Sequence, residues 1–139
     1  MNEVISGEVS GEVAIETEYD IVTARKAVRQ AAVDFGFGVT DVTRIVTAAS
    51  ELSRNIFLYA KTGIVSWSVL PGDPAGLEIA FVDHGPGIED IEQCMQPGYT
   101  SGKGMGMGMP GAKRLMDEME VRSVPGEGAT VIIRKWLRT

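Results

Sequence analysis

Two polar residues stand four apart in a stretch striped with apolar ones: Glu51 and Asn55 in the run Glu51-Leu52-Ser53-Arg54-Asn55. On a helix that spacing puts both side chains on one face, a turn apart. An asparagine oxygen is a hard, neutral ligand suited to Mg²⁺, which takes only one or two groups from protein and fills its shell with water and phosphate oxygens. A carboxylate one turn away can orient or deprotonate an attacking hydroxyl. Alone, such a pair is more often a solvated helix face than a site.

A second group lies at the end of an apolar strand-like run, Asp83-His84-Gly85-Pro86-Gly87. A carboxylate fixed there can accept a hydrogen bond from an exocyclic amine such as that of adenine, and Gly85 and Gly87 let a flat ring come close to the main chain. Asp and Gly are also ordinary turn residues, so a plain strand-to-loop turn is the competing reading. His84 reads as a loop residue rather than a ligand.

The third group is the loop from Gly98 to Gly111, in which six of fourteen residues are glycine. It runs Gly98-Tyr99-Thr100-Ser101-Gly102-Lys103-Gly104-Met105-Gly106-Met107-Gly108-Met109-Pro110-Gly111, straight into a helical pattern. Exposed main-chain N–H groups and the positive end of a helix make a phosphate cradle, to which Lys103 adds a point charge. The loop is not a Walker loop, because Gly98 and Gly102 enclose only three residues and Gly104 follows the lysine. Gly106-x-Gly108-x-x-Gly111 has the form of a dinucleotide fingerprint but lacks a preceding strand. Met105, Met107 and Met109 suit an apolar footing better than a metal. So many glycines give the free loop high entropy, as a lid ordered by nucleotide would have.

The elements that must carry these groups follow from periodicity. Val9, Gly11, Val13 and Ile15 alternate with polar residues as a first strand. Asp20 is the expected N-cap of a helix striped by Ile21, Ala24, Val28, Ala31, Ala32 and Phe35, and Gly36 and Gly38 can end it. A second helix opens near Thr40 or Asp41, carries Val42, Ile45, Ala49, Leu52 and Ile56, and stops between Ala60 and Gly63. Strands follow around Val65–Val69 and Leu77–Val82, joined by a turn at Pro71–Pro74. A short helical piece is expected at Ile88–Met95, and a helix from Pro110 through Met119. A final hairpin folds around Pro125-Gly126-Glu127-Gly128. Helices grouped beside consecutive strands predict an α+β two-layer sandwich, with a mixed sheet covered on one face.

With 139 residues and 44% apolar content, the chain has the core of a single domain, 1–139. Its formal net charge of −6 and the absence of a basic cluster argue against nucleic acid. A polyphosphate would have to be held by local geometry, a metal ion and selected cations. One cysteine, Cys94, forms no internal disulfide, and one histidine completes no zinc set. The first ten residues lack a signal-peptide pattern and no apolar run spans a bilayer, so a cytoplasmic protein without a membrane partner is expected.

Helix Glu-x-x-x-Asn, strand-end Asp-x-Gly-x-Gly and Gly104-x-Gly106-x-Gly108, in that order, resemble the GHKL ATPase superfamily. Gly126-Glu127-Gly128-Ala129-Thr130 looks like its closing nucleotide box. Within the superfamily the likeness is nearest to the anti-sigma-factor serine/threonine kinases of the stressosome-switch type, over the chain from about Tyr19 onward. The resemblance implies a Bergerat-type ATP-binding fold with a glycine-rich lid, and ATP and Mg²⁺ as cofactors. By matched position it implies Asn55 on the metal and Glu51 as general base or hydroxyl-positioning group. It also implies Asp83 on the adenine amino group, with Thr130 helping through water. Gly85, Gly87, Gly104, Gly106 and Gly108 would shape the pocket and lid, beside Thr100, Ser101 and Lys103. The substrate would be a serine or threonine of a STAS-domain protein in a bacterial sigma-factor partner-switching pathway. A metal-dependent serine phosphatase would be a second partner. The competing readings are a nucleotide-dependent binding switch or anti-sigma factor without phosphotransfer, and the ATPase module of a histidine kinase or DNA-handling protein. The last would need dimerisation helices or a transducer domain that this length does not hold.

Overall fold

The computed structural model describes residues 9–86 and 108–138. In chain order they form β1 (Val9–Ile15), α1 (Tyr19–Phe35), α2 (Val39–Asn55), a π-helical turn (Ile56–Ala60), β2 (Gly63–Leu70), β3 (Gly76–Asp83), α3 (Gly108–Leu115), β4 (Glu118–Val124) and β5 (Gly128–Trp136). The helical piece expected at Ile88–Met95 lies outside the described residues.

The strands make one sheet in the order β1-β2-β3-β5-β4. Every neighbouring pair is antiparallel, so the mixed sheet expected from the sequence is corrected. The physical reason is where the chain re-enters. After β3 it passes through α3 and returns as the edge strand β4, and the hairpin at Pro125–Gly128 then folds β5 into the gap beside β3. β3 and β4 run the same way, but β5 separates them, as in a split β-α-β unit.

Alternation along the strands sorts side chains onto two faces. Val65, Leu77, Ile79, Phe81, Val131 and Ile133 share a face with the helices, whose Val28, Ala32, Ile45, Ala49, Leu52 and Ile56 complete the core. The opposite face carries Glu78, which is 1% exposed and accepts a 2.7 Å hydrogen bond from Arg134 Nε. Arg134 also reaches Glu118 and Glu120 on β4. Burial works against the guanidinium's charge, but the bonds to Glu78 and Glu120 outweigh it and raise its pKa.

Asp20 is not the N-cap of α1. That position is Glu18, whose side chain makes no capping bond. The Asp20 carboxylate reaches back and accepts the N–H groups of Glu16 and Thr17 at 2.8 and 2.9 Å. These bonds hold its pKa below the ordinary value and fix the turn from β1 into α1. Gly36 ends α1 in the left-handed conformation, as its position predicts.

Candidate functional site

α2 runs toward one end of the sheet with its apolar stripe on the core, which leaves Glu51 and Asn55 on the flank. Glu51 is buried at 8% exposure, and its carboxylate lies 3.8 Å from the Arg54 guanidinium. Asn55, half-buried, is the last residue of α2. From Ile56 the helix widens into the π turn, which closes at Lys61, a non-glycine residue at φ 75°. Such wide turns cluster at functional sites, and no residue pattern announces this one.

The π turn is what joins α2 to the end of β3. A Cβ on Gly63 would sit 2.7 Å from Ile56 Cγ2 and 2.6 Å from the carbonyl oxygen of Val82. Gly63 pairs directly with Asp83. A Cβ on Gly85 would lie 2.5 Å from Ala60 Cβ. Asn55 and Asp83 therefore belong to the same end of the molecule, linked through Ile56–Ala60 and the Asp83–Pro86 loop.

Asp83 Oδ1 accepts the N–H of Gly85 at 2.9 Å and that of Ala129 at 3.3 Å. Both bonds fall on one oxygen, so Oδ2 takes none among the described residues. The closing turn docks on the same loop. Gly126 N–H donates to the carbonyl of Pro86 at 2.7 Å. Gly128 has φ 130°, and any Cβ there would collide with the main-chain oxygen of Asp83 and with His84 Cα. The glycines of Gly126-Glu127-Gly128 thus serve close main-chain packing against the Asp83 loop.

Thr130 is placed differently from the other expected site residues. It pairs with Val82, whereas Ala129 pairs with Asp83, so alternation puts Thr130 on the sheet face away from the helices. There it lines, with Glu12, Ile64, Val82 and Arg122, a pocket of about 450 Å³ that Asp83, His84 and Ala129 also line. The residue that the sequence reading passed over is Ala129, whose main-chain N–H rather than a hydroxyl reaches Asp83. Pairing register across the strands, invisible in one sequence, decides this.

Gly108 opens α3, which packs along α2. Gly87, Thr100, Ser101, Lys103, Gly104 and Gly106 lie outside the described residues. No helix among the described residues is long and apolar enough to cross a membrane.

The assembled end offers a carboxylate with one oxygen unused among the described residues, a primary amide, a second carboxylate one turn below it, and the start of a helix. The histidine kinase-like ATPase domain model matches residues 14–135. The serine/threonine-protein kinase RsbT of Bacillus subtilis (strain 168) is 49% identical over 127 residues, covering 91% of this chain and 96% of that protein. The anti-sigma F factor of Caldanaerobacter subterraneus subsp. tengcongensis is 34% identical over 120 residues, 82% of this chain and 83% of its own. Among solved structures, that of the RsbU and RsbW domains of Rv1364c from Mycobacterium tuberculosis superposes with a TM-score of 0.65 at 19% identity. It covers 94% of this chain, which spans about a third, 34%, of that longer one. The SiaB-SiaC complex from Pseudomonas aeruginosa gives 0.61 at 12% identity, with 93% and 91% covered. These two likenesses speak for the fold. The chain belongs to the histidine kinase-like ATPase domain family, in its branch of RsbT-type serine/threonine kinases and anti-sigma factors.

Proposed function

We propose that this chain is an ATP-dependent serine/threonine kinase that phosphorylates a STAS-domain partner within a bacterial partner-switching pathway. The observation that carries the reading is the joining of Asn55 and Asp83 at one end of the sheet through the π turn and the Gly85 contact. The kinship with RsbT supports the transfer step, and the anti-sigma F factors support the regulatory setting.

In this reading Asp83 Oδ2 accepts the adenine amino group while Oδ1 stays tied to the Gly85 and Ala129 amides. Two main-chain donors fix the carboxylate in direction. Asn55 would hold Mg²⁺ beside the phosphates; the ion, when bound, neutralises phosphate charge. The donor set fits, because a neutral amide at a half-exposed helix end leaves room for water and phosphate oxygens. Glu51 orients the partner's hydroxyl and takes its proton. The hydroxyl oxygen bonds to the γ-phosphorus as the β–γ bridging bond breaks, and ADP leaves with the bond's electron pair. Gly87, Thr100, Ser101, Lys103, Gly104, Gly106 and Gly108 would form the phosphate cradle and lid. Thr130, on the opposite face, would shape a partner contact or β5 packing rather than touch the purine. A metal-dependent serine phosphatase would be the second partner, and the cytoplasm the site of action.

The test is transfer of label from γ-labelled ATP to a co-encoded STAS protein. Wild-type protein should label its partner. Asn55→Ala and Glu51→Ala should each lower the rate by at least about a hundredfold, as expected for positioning and proton-transfer groups. Full activity in Asn55→Ala would refute the metal assignment. ATP binding without label on any partner would favour a binding switch.

A further inference from the structure

On the face of the sheet that packs on the helices, Lys135 is the one charged residue of the described strands at the end away from Asp83. This residue pairs with Leu77 and follows Ile133 on that face, and its side chain is only 7% exposed. Its ammonium donates to the carbonyl of Leu115, the last residue of α3, at 2.9 Å. The same nitrogen lies 3.7 Å from Asp41 Oδ1, in the first turn of α2, and 3.8 Å from Asp117 Oδ1, just beyond α3. One buried cation therefore touches the far ends of both helices that flank the proposed site.

Burying an ammonium costs several kcal/mol before pairing, and a well-packed apolar residue of similar volume often does as well for stability. The geometry suggests another use. A helix rises about 1.5 Å per residue. With Leu115 held at the level of Asp41, the eight-residue α3 reaches back along α2 to about the level of Ala48, within one turn of Glu51. A positive charge at the C-terminal carbonyl of α3 also matches the negative end of that helix.

We propose that Lys135 is a positioning residue for phosphoryl transfer: it fixes how far along α2 the helix α3 sits, and so where the first turn of α3 lies relative to Glu51 and Asn55. This rests on the kinase reading of the site. The two ideas separate experimentally, because one readout needs no activity. In Lys135→Met, which keeps length and apolar volume, hydrogen exchange in the free protein should speed up at least about tenfold for the amides of Gly111–Met116. Those of β3 should be unchanged and the melting temperature should shift by only a few degrees. In label transfer kcat should fall at least about tenfold while KM for ATP changes less than about threefold, and Lys135→Arg should recover part of kcat. Asp41→Asn should slow transfer in the wild-type background and add nothing to Lys135→Met. Unchanged α3 exchange in Lys135→Met overturns the proposal whether or not the wild type transfers phosphate. Faster exchange with kcat intact also overturns it, by showing Lys135 to be structural only. No transfer by the wild type refutes the kinase reading, and the exchange result then decides alone whether Lys135 fixes α3.

Discussion

The two ends of the sheet are held together by different chemistry. At the Asp83 end the joints are close glycine contacts: Gly126 to the Pro86 carbonyl, Gly128 against the Asp83 main chain, Gly63 and Gly85 against Ile56 and Ala60 of the π turn. At the other end, about 20 Å away along β3, the joints are charges. There Lys135, Asp41, Asp117 and Arg138 tie α2, α3 and β5 together. Charges saturated by each other cannot also recognise a ligand. Among the described residues the glycine joints leave Asp83 Oδ2 unspent, whereas the far end spends both Asp117 oxygens on protein: Oδ2 accepts Trp136 N–H at 2.7 Å, and Arg138 approaches both.

The sharpest way to break this comparison is Gly128→Ala. A residue with a Cβ at φ 130° is strained, and the added carbon would meet the main-chain oxygen of Asp83, which cannot swing aside as a side chain can. Positive φ and overpacking together should cost roughly 3 kcal/mol or more. Thermal unfolding should show the loss, and calorimetric titration should show ATP binding weakened beyond detection in whatever protein still folds. A stable, ATP-binding Gly128→Ala would mean that the turn is not the rigid dock that its contacts indicate.

Much of the glycine-jointed end was legible in the sequence because residue types there answer to main-chain geometry. Asp83 and Gly85 in the strand-end loop and Gly126-x-Gly128 in the turn stand at positions whose spacing is local. Glu51 and Asn55 were legible because four residues make one helical turn. What was hidden depends on register. The sheet's wholly antiparallel order depends on β5 slotting between two strands that run alike, which no local pattern encodes. The resemblance implies a water-mediated role for Thr130 beside the adenine, and no local pattern shows that it pairs with Val82 on the other face. Asp20 looked like a cap because Asp before a helix usually is one, yet its oxygen turns back to the Glu16 and Thr17 amides. The charged end was hardly legible: Asp41, Asp117 and Lys135 are far apart in sequence, and only the packed helices bring them together.

At that charged end the next largest effect should come from Asp117→Asn. Burial pushes the Asp117 carboxyl upward, but the Trp136 N–H, the Arg138 hydrogen bond and the two cations outweigh it and hold its pKa below the usual 3.8. A carboxylate depressed by folding adds stability that is fully present above its unfolded pKa and is lost as pH falls through the lower, folded one. The variant should therefore be about 1–3 kcal/mol less stable at pH 7, the scale for losing a charged hydrogen-bond acceptor. The gap should close as pH drops below about 3.8. Chemical denaturation at pH 7 and at pH 3 checks both halves. A gap of constant size would mean that Asp117 acts by packing rather than charge.

Arg138→Ala should have the smallest effect, and it distinguishes buried from exposed pairing at the same carboxylate. Arg138 lies 3.1 Å from Asp117 Oδ2, closer than the 3.8 Å between Lys135 and Asp117 Oδ1, yet its side chain is 64% exposed against 7% for Lys135. Distance alone would rank Arg138 as the stronger partner. Solvent reverses that order, because an exposed pair is screened and orders a long side chain, so it contributes less than about 1 kcal/mol. Removing Arg138 should lower stability by that amount or less in dilute buffer. The loss should vanish by about 1 M salt, where screening acts over only about 3 Å. The effect of Asp117→Asn should survive the same salt, since its bond to the Trp136 amide lies in the partly buried joint. If both losses disappeared together, the far end would be an ordinary solvated charge cluster, and its contrast with the glycine-built end would reduce to composition.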